Sequence, residues 1–459
     1  MNNIFYQPDI SVSADYIPYY ENGTFYLFYL RDYRNIGQYG EGTPWFLITT
    51  TDFVHFEEHG EVLPRGSQED QDLFVFTGSV TKIGTQYHIY YTGHNPHLRK
   101  KGLPEQAVMH AVSDDLLHWE KRPKDTFFAP TGYGIHDWRD PFLLFDPKLQ
   151  QWRMLLAART EEGPSRRRGI TAQCFSEDGL SWSVGAPFYT PGEYYTHECP
   201  DVFCIGDWYY LLFSEFSQEH VTRYRMSRSL EGPWLTPSDD RFDTCAFYAA
   251  KTVACEHSRY LLGWIATREG DSDDGLWQWG GCLAVHQLVQ RTDGTLAVTI
   301  PTHVSDAFSK TREHNAYLDG RYQLATENWG QLPACCKLVC AFRLSTNSGK
   351  VSLALAADKG ISEGYFITLD FDRMHMYLDR WPRIVENGLE PGLVRPFKRT
   401  DDGCYELQLL IDGTAACAYL NNEVALSFRM YDQSKHCWGI LATNTALWAS
   451  GSLCERSNR

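Results

Sequence analysis

The chain has 459 residues, 43% of them hydrophobic and 22% charged, close to globular averages, which excludes disordered and collagen-like classes and leaves two domains or one large one with an appendage. A formal net charge of −16 repels phosphate backbones and anionic lipid, so neither nucleic-acid nor membrane partners are expected. The 14 Trp, 27 Tyr and 25 Phe favour strands and supply flat faces suited to sugar rings.

The start, Met1-Asn2-Asn3-Ile4-Phe5, has no charged segment followed by an apolar one, and no window reaches the length of a membrane span. A cytoplasmic location is therefore expected. The 13 Cys are scattered and odd in number, which fits reduced, mostly buried thiols better than a disulfide framework.

Aromatic-rich apolar runs then recur: Phe25–Tyr29, Tyr87–Tyr91, Trp152–Leu156, Trp208–Leu212 and Tyr260–Trp264. The first four are each followed by a second segment ending in an aromatic (Thr51 to Phe56, Ser113 to Trp119, Ser176 to Trp182, Ser227 to Trp234), which reads as an outer strand. Units of this size with several short strands are blade-like, because one antiparallel sheet buries both faces only when neighbours stack around an axis. A β-sandwich also yields short strands but is usually smaller, so a five-bladed β-propeller over residues 1–304 is the expectation. Beyond the linker-like Pro301–Ala307 the pattern changes to period-two alternation at Val351–Leu355, Phe366–Asp370, Tyr405–Ile411 and Ala416–Leu420, with a turn at Asn421-Asn422-Glu423. This predicts a β-sandwich over residues 305–459 and an all-β chain.

In a propeller the ligand site lies where the inner strands converge. Three acids hold comparable places ahead of the aromatic strands: Asp15, Asp140 in His136-Asp137-Trp138-Arg139-Asp140-Pro141, and Glu198 in Thr196-His197-Glu198-Cys199-Pro200-Asp201. Any one of them alone is more simply a surface acid or a turn. Three in register point to the acid and the base or nucleophile of glycosidic-bond cleavage.

Trp138-Arg139-Asp140-Pro141 and Glu198-Cys199-Pro200-Asp201 resemble the Arg-Asp-Pro and Glu-Cys motifs of glycoside hydrolase family 32, the invertase, inulinase and levanase family. Phe76-Thr77-Gly78-Ser79 is similar to its Phe-Ser-Gly-Ser motif, His110 to Trp119 to its second-blade signature, and Gly263-Trp264 with Trp279-Gly280-Gly281 to its fifth-blade segment. The resemblance covers nearly the whole chain and implies a five-bladed propeller joined to a sandwich, acting on β-fructofuranosides with retention. It implies Asp15 as nucleophile, Glu198 as acid/base and Asp140 as transition-state stabiliser with Arg139 beside it. Substrate contacts are expected from Trp45, Phe76, Trp138, Tyr195 and Trp279, with Thr77 and Ser79 as hydroxyl partners; Trp152, Trp208 and Trp264 read as core. The chain departs from the family at Ser11-Val12-Ser13-Ala14-Asp15-Tyr16-Ile17-Pro18, where the signature is Asn-Asp-Pro-Asn-Gly, and Asp9 is the fallback nucleophile. Leu30-Arg31-Asp32 replaces a Gln usual at the end of the first strand.

Three other readings stay open at this level: an inverting enzyme of the related family 43, which shares the propeller and its acids; a non-catalytic sugar-binding propeller; and fructosyl transfer to another sugar. The run Arg166-Arg167-Arg168 is most simply a solvated loop, with binding of an anionic sugar substituent as the lesser reading. No metal, phosphate-loop or serine-hydrolase motif is present, and no cofactor is expected. Cys199 and Cys204 read as core thiols. The expected partner is a small glycoside or oligosaccharide, and self-association is left open.

Overall fold

The computed structural model describes residues 4–256, 258–382 and 392–456; the first three residues of the chain start discussed above lie outside them. The chain is an all-β protein, a five-bladed propeller followed by a sandwich. The first blade comprises Val12–Glu21, Thr24–Asp32, Trp45–Thr50 and Glu57–Leu63. The second comprises Phe74–Ile83, Gln86–His94, Gln106–Ser113 and Glu120–Lys121. Tyr133–Asp146, Gln151–Thr160, Gly169–Ser176 and Ser183–Val184 make the third. Glu198–Ile205, Trp208–Glu215 and Val221–Ser227 make the fourth, and Phe247–Cys255, Ser258–Arg268, Trp277–Gln290 and Leu296–Thr299 the fifth.

Each aromatic run is the second strand of its blade, where bulky side chains pack between neighbouring sheets. The acidic segments after the third strands are turns, and the outer strand follows them. Asp52, Asp115 and Asp178 each accept two successive backbone N–H groups, from Val54 and His55, Leu117 and His118, and Leu180 and Ser181. Competition of an Asp side chain for local N–H groups is what makes this segment a turn. The ring closes where Ser13 of the first inner strand meets Gly281 of the fifth blade. Ser13 Oγ donates to the Gly281 carbonyl at 3.1 Å. A Cβ on Gly281 would sit 1.8 Å from the Ile265 carbonyl oxygen, so the closure requires glycine.

The segment read as a linker forms a short helix, Thr302–Asp306, with Val304 buried. The sandwich beyond it has two six-stranded antiparallel sheets, packed over a core that includes Leu353, Ile367, Leu409, Leu426 and Trp438. The expected turn is present, with Asn421 and Asn422 both left-handed at φ 53° and 55°, as a tight hairpin demands. A single apolar cluster joins Tyr16, Phe203, Leu262 and Leu283 of the propeller to Leu410, Cys417 and Tyr419 of the sandwich. None of the 13 cysteines is in a disulfide. Cys204 is exposed, against the expectation of a core thiol: it directs its side chain outward near the end of its strand, where its Sγ meets the Gly206 carbonyl oxygen at 3.3 Å. Among the described residues no helix is long and apolar enough to cross a membrane.

Candidate active site

The inner strand of every blade carries a β-bulge at the same level. The pairing slips between Ala14 and Ile17, Phe76 and Gly78, Glu198 and Asp201, and Tyr248 and Lys251, and in the third blade opposite Asp140-Pro141. An extra residue in one strand bends it and re-aims its side chains, and bulges are common beside active sites. Four of the five inserted residues are left-handed: Asp15 at φ 44°, Asp140 at 57°, Cys199 at 50° and Ala249 at 51°. Such φ values in residues other than glycine store strain that the surrounding fold must hold. In the second blade Thr77 is the inserted residue, and Gly78 follows because a Cβ there would lie 2.1 Å from the Tyr90 carbonyl oxygen.

The five bulges line up two sets of side chains. Asp15, Thr77, Asp140, Cys199 and Ala249 are the inserted residues, and Phe76, Arg139, Glu198 and Tyr248 each stand one place before. Asp15 and Asp140 thus hold equivalent positions, whereas Glu198 stands one residue earlier in its blade, a refinement of the common register expected from sequence. All three acids line one cavity of about 690 Å³, with Phe76, Arg139, Tyr195 and Trp279.

Each carboxylate has its own partners. Asp15 accepts the Thr77 hydroxyl on Oδ2 at 2.5 Å and the Trp264 indole N–H on Oδ1 at 3.0 Å. Apart from its edge on the cavity it is enclosed by protein, and this burial raises its pKa to about 7; the two donors oppose the rise and the charge of Asp140 adds to it. Asp140 Oδ2 accepts the Cys199 N–H at 2.9 Å and lies 3.8 Å from Arg139 Nε. Burial raises the Asp140 pKa while Arg139 lowers it. Glu198 accepts Arg139 Nη2 at 3.1 Å and the Tyr248 hydroxyl at 2.7 Å.

Arg139 itself bonds Asp137 at 3.0 Å and the Thr196 hydroxyl at 2.9 Å. Its burial opposes the charge, but Glu198, Asp140 and Asp137 more than offset this and hold it protonated. Bonds on several sides fix the plane of the guanidinium. The chemistry available is a proton donor and a carboxylate nucleophile or base on one sugar-sized, aromatic-edged cavity.

The remaining expected contacts divide. Phe76, Tyr195 and Trp279 face the cavity; Phe76 stacks on His94 at 4.8 Å, and Arg159 lies 3.6 Å over the Tyr195 ring. Trp45 and Trp138 do not reach it, both being wholly buried. Trp45 donates its indole N–H to the Val75 and Phe76 carbonyls at 3.1 and 3.2 Å, bracing the strand that presents Phe76. Trp138 neighbours Arg139 in an extended strand, so period-two alternation turns it into the core between the second and third blades. Ser79 is also buried, its hydroxyl accepting the Leu143 N–H at 3.2 Å. Thr77 spends its hydroxyl on Asp15 instead of facing the cavity. Asp9 is exposed and away from the cavity. Arg31, in the place of the usual Gln segment, turns to Ser11 Oγ at 2.8 Å and the Asp9 carbonyl at 2.9 Å.

Trp264 and Tyr248 were the partners that sequence reasoning missed. Trp264 sits inside an apolar run and reads as core, which it is, but its one polar atom reaches Asp15. Tyr248 occupies the same place before its bulge as Glu198; extending the register to the fifth inner strand, which carries no acid, would have found it. His220, stacked on Tyr248 at 3.9 Å, carries no sequence signal. Burial lowers its pKa.

A profile of the glycosyl hydrolases family 32 N-terminal domain matches residues 16–299. A sucrose-6-phosphate hydrolase of Escherichia coli is 24% identical over 423 residues, 85% of this chain and 80% of that protein. A raffinose invertase of the same organism is 25% identical over 440 residues, 90% and 86% of the two chains. Among solved structures, an exo-inulinase of Aspergillus awamori superposes with a TM-score of 0.78 at 16% identity, covering 99% of this chain and 98% of that one. A sucrose-6-phosphate hydrolase of Lactobacillus gasseri superposes at 0.79 with 17% identity, covering 99% and 93%.

Proposed function

The chain belongs to glycosyl hydrolase family 32, and from that premise we propose the residue roles, stereochemistry and substrate range of its reaction. It is a glycosidase that hydrolyses terminal β-fructofuranosyl bonds. The inverting family-43 reading and the non-catalytic reading both give way to this assignment.

Asp15 is the nucleophile. Its carboxylate attacks the anomeric carbon of the fructosyl unit as Glu198 protonates the departing glycosidic oxygen, giving a covalent fructosyl-enzyme and a free alcohol. Glu198, now ionised, takes a proton from water as that water attacks the same carbon, and Asp15 leaves; two inversions give net retention. Asp140 accepts hydroxyls of the fructosyl ring, held in place by the Cys199 N–H and Arg139, so that its charge supports the oxocarbenium-like transition state. Phe76 and Trp279 supply apolar edges to the ring.

The observation that carries these roles is the meeting of Asp15, Asp140 and Glu198 on one cavity from three different bulged strands. Proton NMR of the sugar released from sucrose or inulin at early time tests it. Fructose appearing first as the β-anomer is expected, and first appearance of the α-anomer overturns the nucleophile assignment.

A phosphorylated aglycone is a second reading, favoured by Arg99, Arg159 and Arg168 on the rim of the same cavity and by the hydrolases of sucrose 6-phosphate among the relatives. Planar guanidinium groups suit phosphate recognition. A kcat/KM for sucrose 6-phosphate no higher than for sucrose removes it. For location, we propose the cytoplasm, supported by cysteines that form no disulfide framework.

A further inference from the structure

Lys251 is a buried amine that the reaction above does not use. It is 3% exposed and stands immediately after the bulge of the fifth inner strand. Its Nζ donates to the Pro200 carbonyl at 3.3 Å and lies 5.3 Å from the centre of the Phe142 ring. Pro200 follows Cys199 and Phe142 follows Asp140-Pro141, so the amine is wedged behind the third and fourth bulges, at the back of the catalytic floor. Among the described residues no carboxylate comes within ion-pair distance of it. Burying an ammonium group against one neutral acceptor costs several kcal/mol, unless a charge field repays it.

We propose that Lys251 is a positioning residue, a buried counter-charge that limits the carboxylates of the floor to one proton between them; this rests on the roles assigned above to Asp15, Asp140 and Glu198.

The charges facing the floor can be counted strand by strand. The first inner strand brings Asp15, the second no charge, the third Arg139 and Asp140, the fourth Glu198, and the fifth Lys251. Asp137 has Arg159 as a further cation at 3.5 Å. Asp201, also on the fourth strand, is held by the Thr252 N–H and hydroxyl and feels Arg259. Glu215, behind His220, pairs with Arg223 at 3.1 Å. Burial keeps the Cys199 thiol and the Tyr248 phenol neutral and disfavours the His220 cation.

Three acids then face two cations. One uncompensated negative charge remains, and in a buried site one proton neutralises it. A retaining mechanism needs this count, with one carboxyl protonated to serve the leaving group and two ionised to act as nucleophile and stabiliser. Without Lys251 the count becomes three to one, a second proton is favoured, and either Asp15 or Asp140 is lost to it. Consistent with this placement, the charge of Lys251 opposes the rise that burial imposes on both Asp140 and Cys199.

The test compares kcat/KM against pH for wild type, Lys251→Met and Lys251→Gln on sucrose. Both variants should move the acid limb upward by at least about one pH unit, costing about tenfold or more below the limb and recovering at alkaline pH. An unmoved limb in Lys251→Met overturns the proposal. A shift in Lys251→Met alone also overturns it, because Gln keeps hydrogen-bonding capacity without charge. Should the variants not fold, infrared spectra of the wild-type protein near about pH 6 count protonated buried carboxyls at the floor, using the band lost in Glu198→Gln and Asp15→Asn. One is expected, and two or none refutes the count. A wild-type protein that turns over no β-fructofuranoside defeats the roles above, and the infrared count still decides the proton number.

Discussion

Trp264 donates its indole N–H to Oδ1 of Asp15 at 3.0 Å, from the fifth blade to the first, across the closure of the propeller ring. Thr77 meets the other oxygen from the second blade at 2.5 Å, so the proposed nucleophile is held from both flanking blades. Two donors on the two oxygens fix the carboxylate plane, and both favour its ionised form.

Removing either donor should therefore raise the Asp15 pKa above about 7. A hydrogen bond to a charged group contributes about 1.5–3 kcal/mol, so Trp264→Phe and Thr77→Val should each lose roughly 10- to 100-fold in kcat/KM at neutral pH. Part of the loss should return at higher pH as the carboxyl ionises. A pH profile of kcat/KM checks this, and a uniform loss at every pH would assign both side chains to packing alone.

Asp15 should also set a pH-dependent penalty on the fold. Its pKa is raised from the ordinary 3.8 to about 7, so the folded chain binds the proton more tightly than the unfolded one. The stability this provides is complete below the unfolded value and is lost as pH rises from about 4 through about 7. Asp15→Asn cannot ionise and should be more stable than wild type above pH 7, by about 3–4 kcal/mol, the free energy that a rise from 3.8 to about 7 represents. Thermal or urea melts at about pH 5 and pH 8 measure the difference. An equal gap at both values would remove ionisation of Asp15 as its cause.

Glu198→Gln retains the shape and an acceptor for Tyr248 but cannot protonate the departing oxygen. Turnover of sucrose should fall by about 10²–10⁴-fold, the usual contribution of general acid catalysis, whereas fructosides with good leaving groups should lose far less in the first step. Full activity on sucrose would remove Glu198 from the role. The melting transition should shift little, because Glu198 keeps an edge on the cavity, with 23% of its side chain exposed.

Much of this arrangement was legible from residue order. The aromatic repeat gave five second strands, and acids at similar distances ahead of them gave Asp15, Asp140 and Glu198. What was illegible depends on the bulges. Nothing in Ala14-Asp15-Tyr16 or Cys199-Pro200 announces a left-handed residue, and a slip of one place decides which neighbour faces the cavity. Trp138 and Arg139 were both expected at the site, but as neighbours in an extended strand they face opposite sides, and only Arg139 lines the cavity. Trp45 and Trp264 show the same limit differently: both are buried indoles in apolar strands, and only the fold tells which N–H meets a carbonyl and which the Asp15 carboxylate.

The sandwich is fastened to the propeller by a buried acid, and its loss should weaken the whole molecule. Asp243 accepts the Thr244 and Ser427 N–H groups at 2.6 and 2.7 Å and the Ser427 hydroxyl at 2.6 Å, with His286 at 3.2 Å. Ser427 belongs to the sandwich and His286 to the fifth blade, whose Nδ1 meets the Tyr419 hydroxyl of the sandwich at 2.8 Å. Burial raises the Asp243 pKa, but these donors outweigh it and hold the group below the ordinary value. Its contribution is therefore present above the unfolded pKa and is lost as pH falls through the folded one. Asp243→Asn keeps the volume and removes the charge, so it should cost about 3–5 kcal/mol at neutral pH, as for a broken buried pair, and progressively less on acidification. Calorimetry across that range checks the sign: a deficit that grows toward acid pH would mean that Asp243 is held protonated. Because one apolar cluster spans propeller and sandwich, the variant should still melt in a single transition, and two separated transitions would show that the shared core does not couple them.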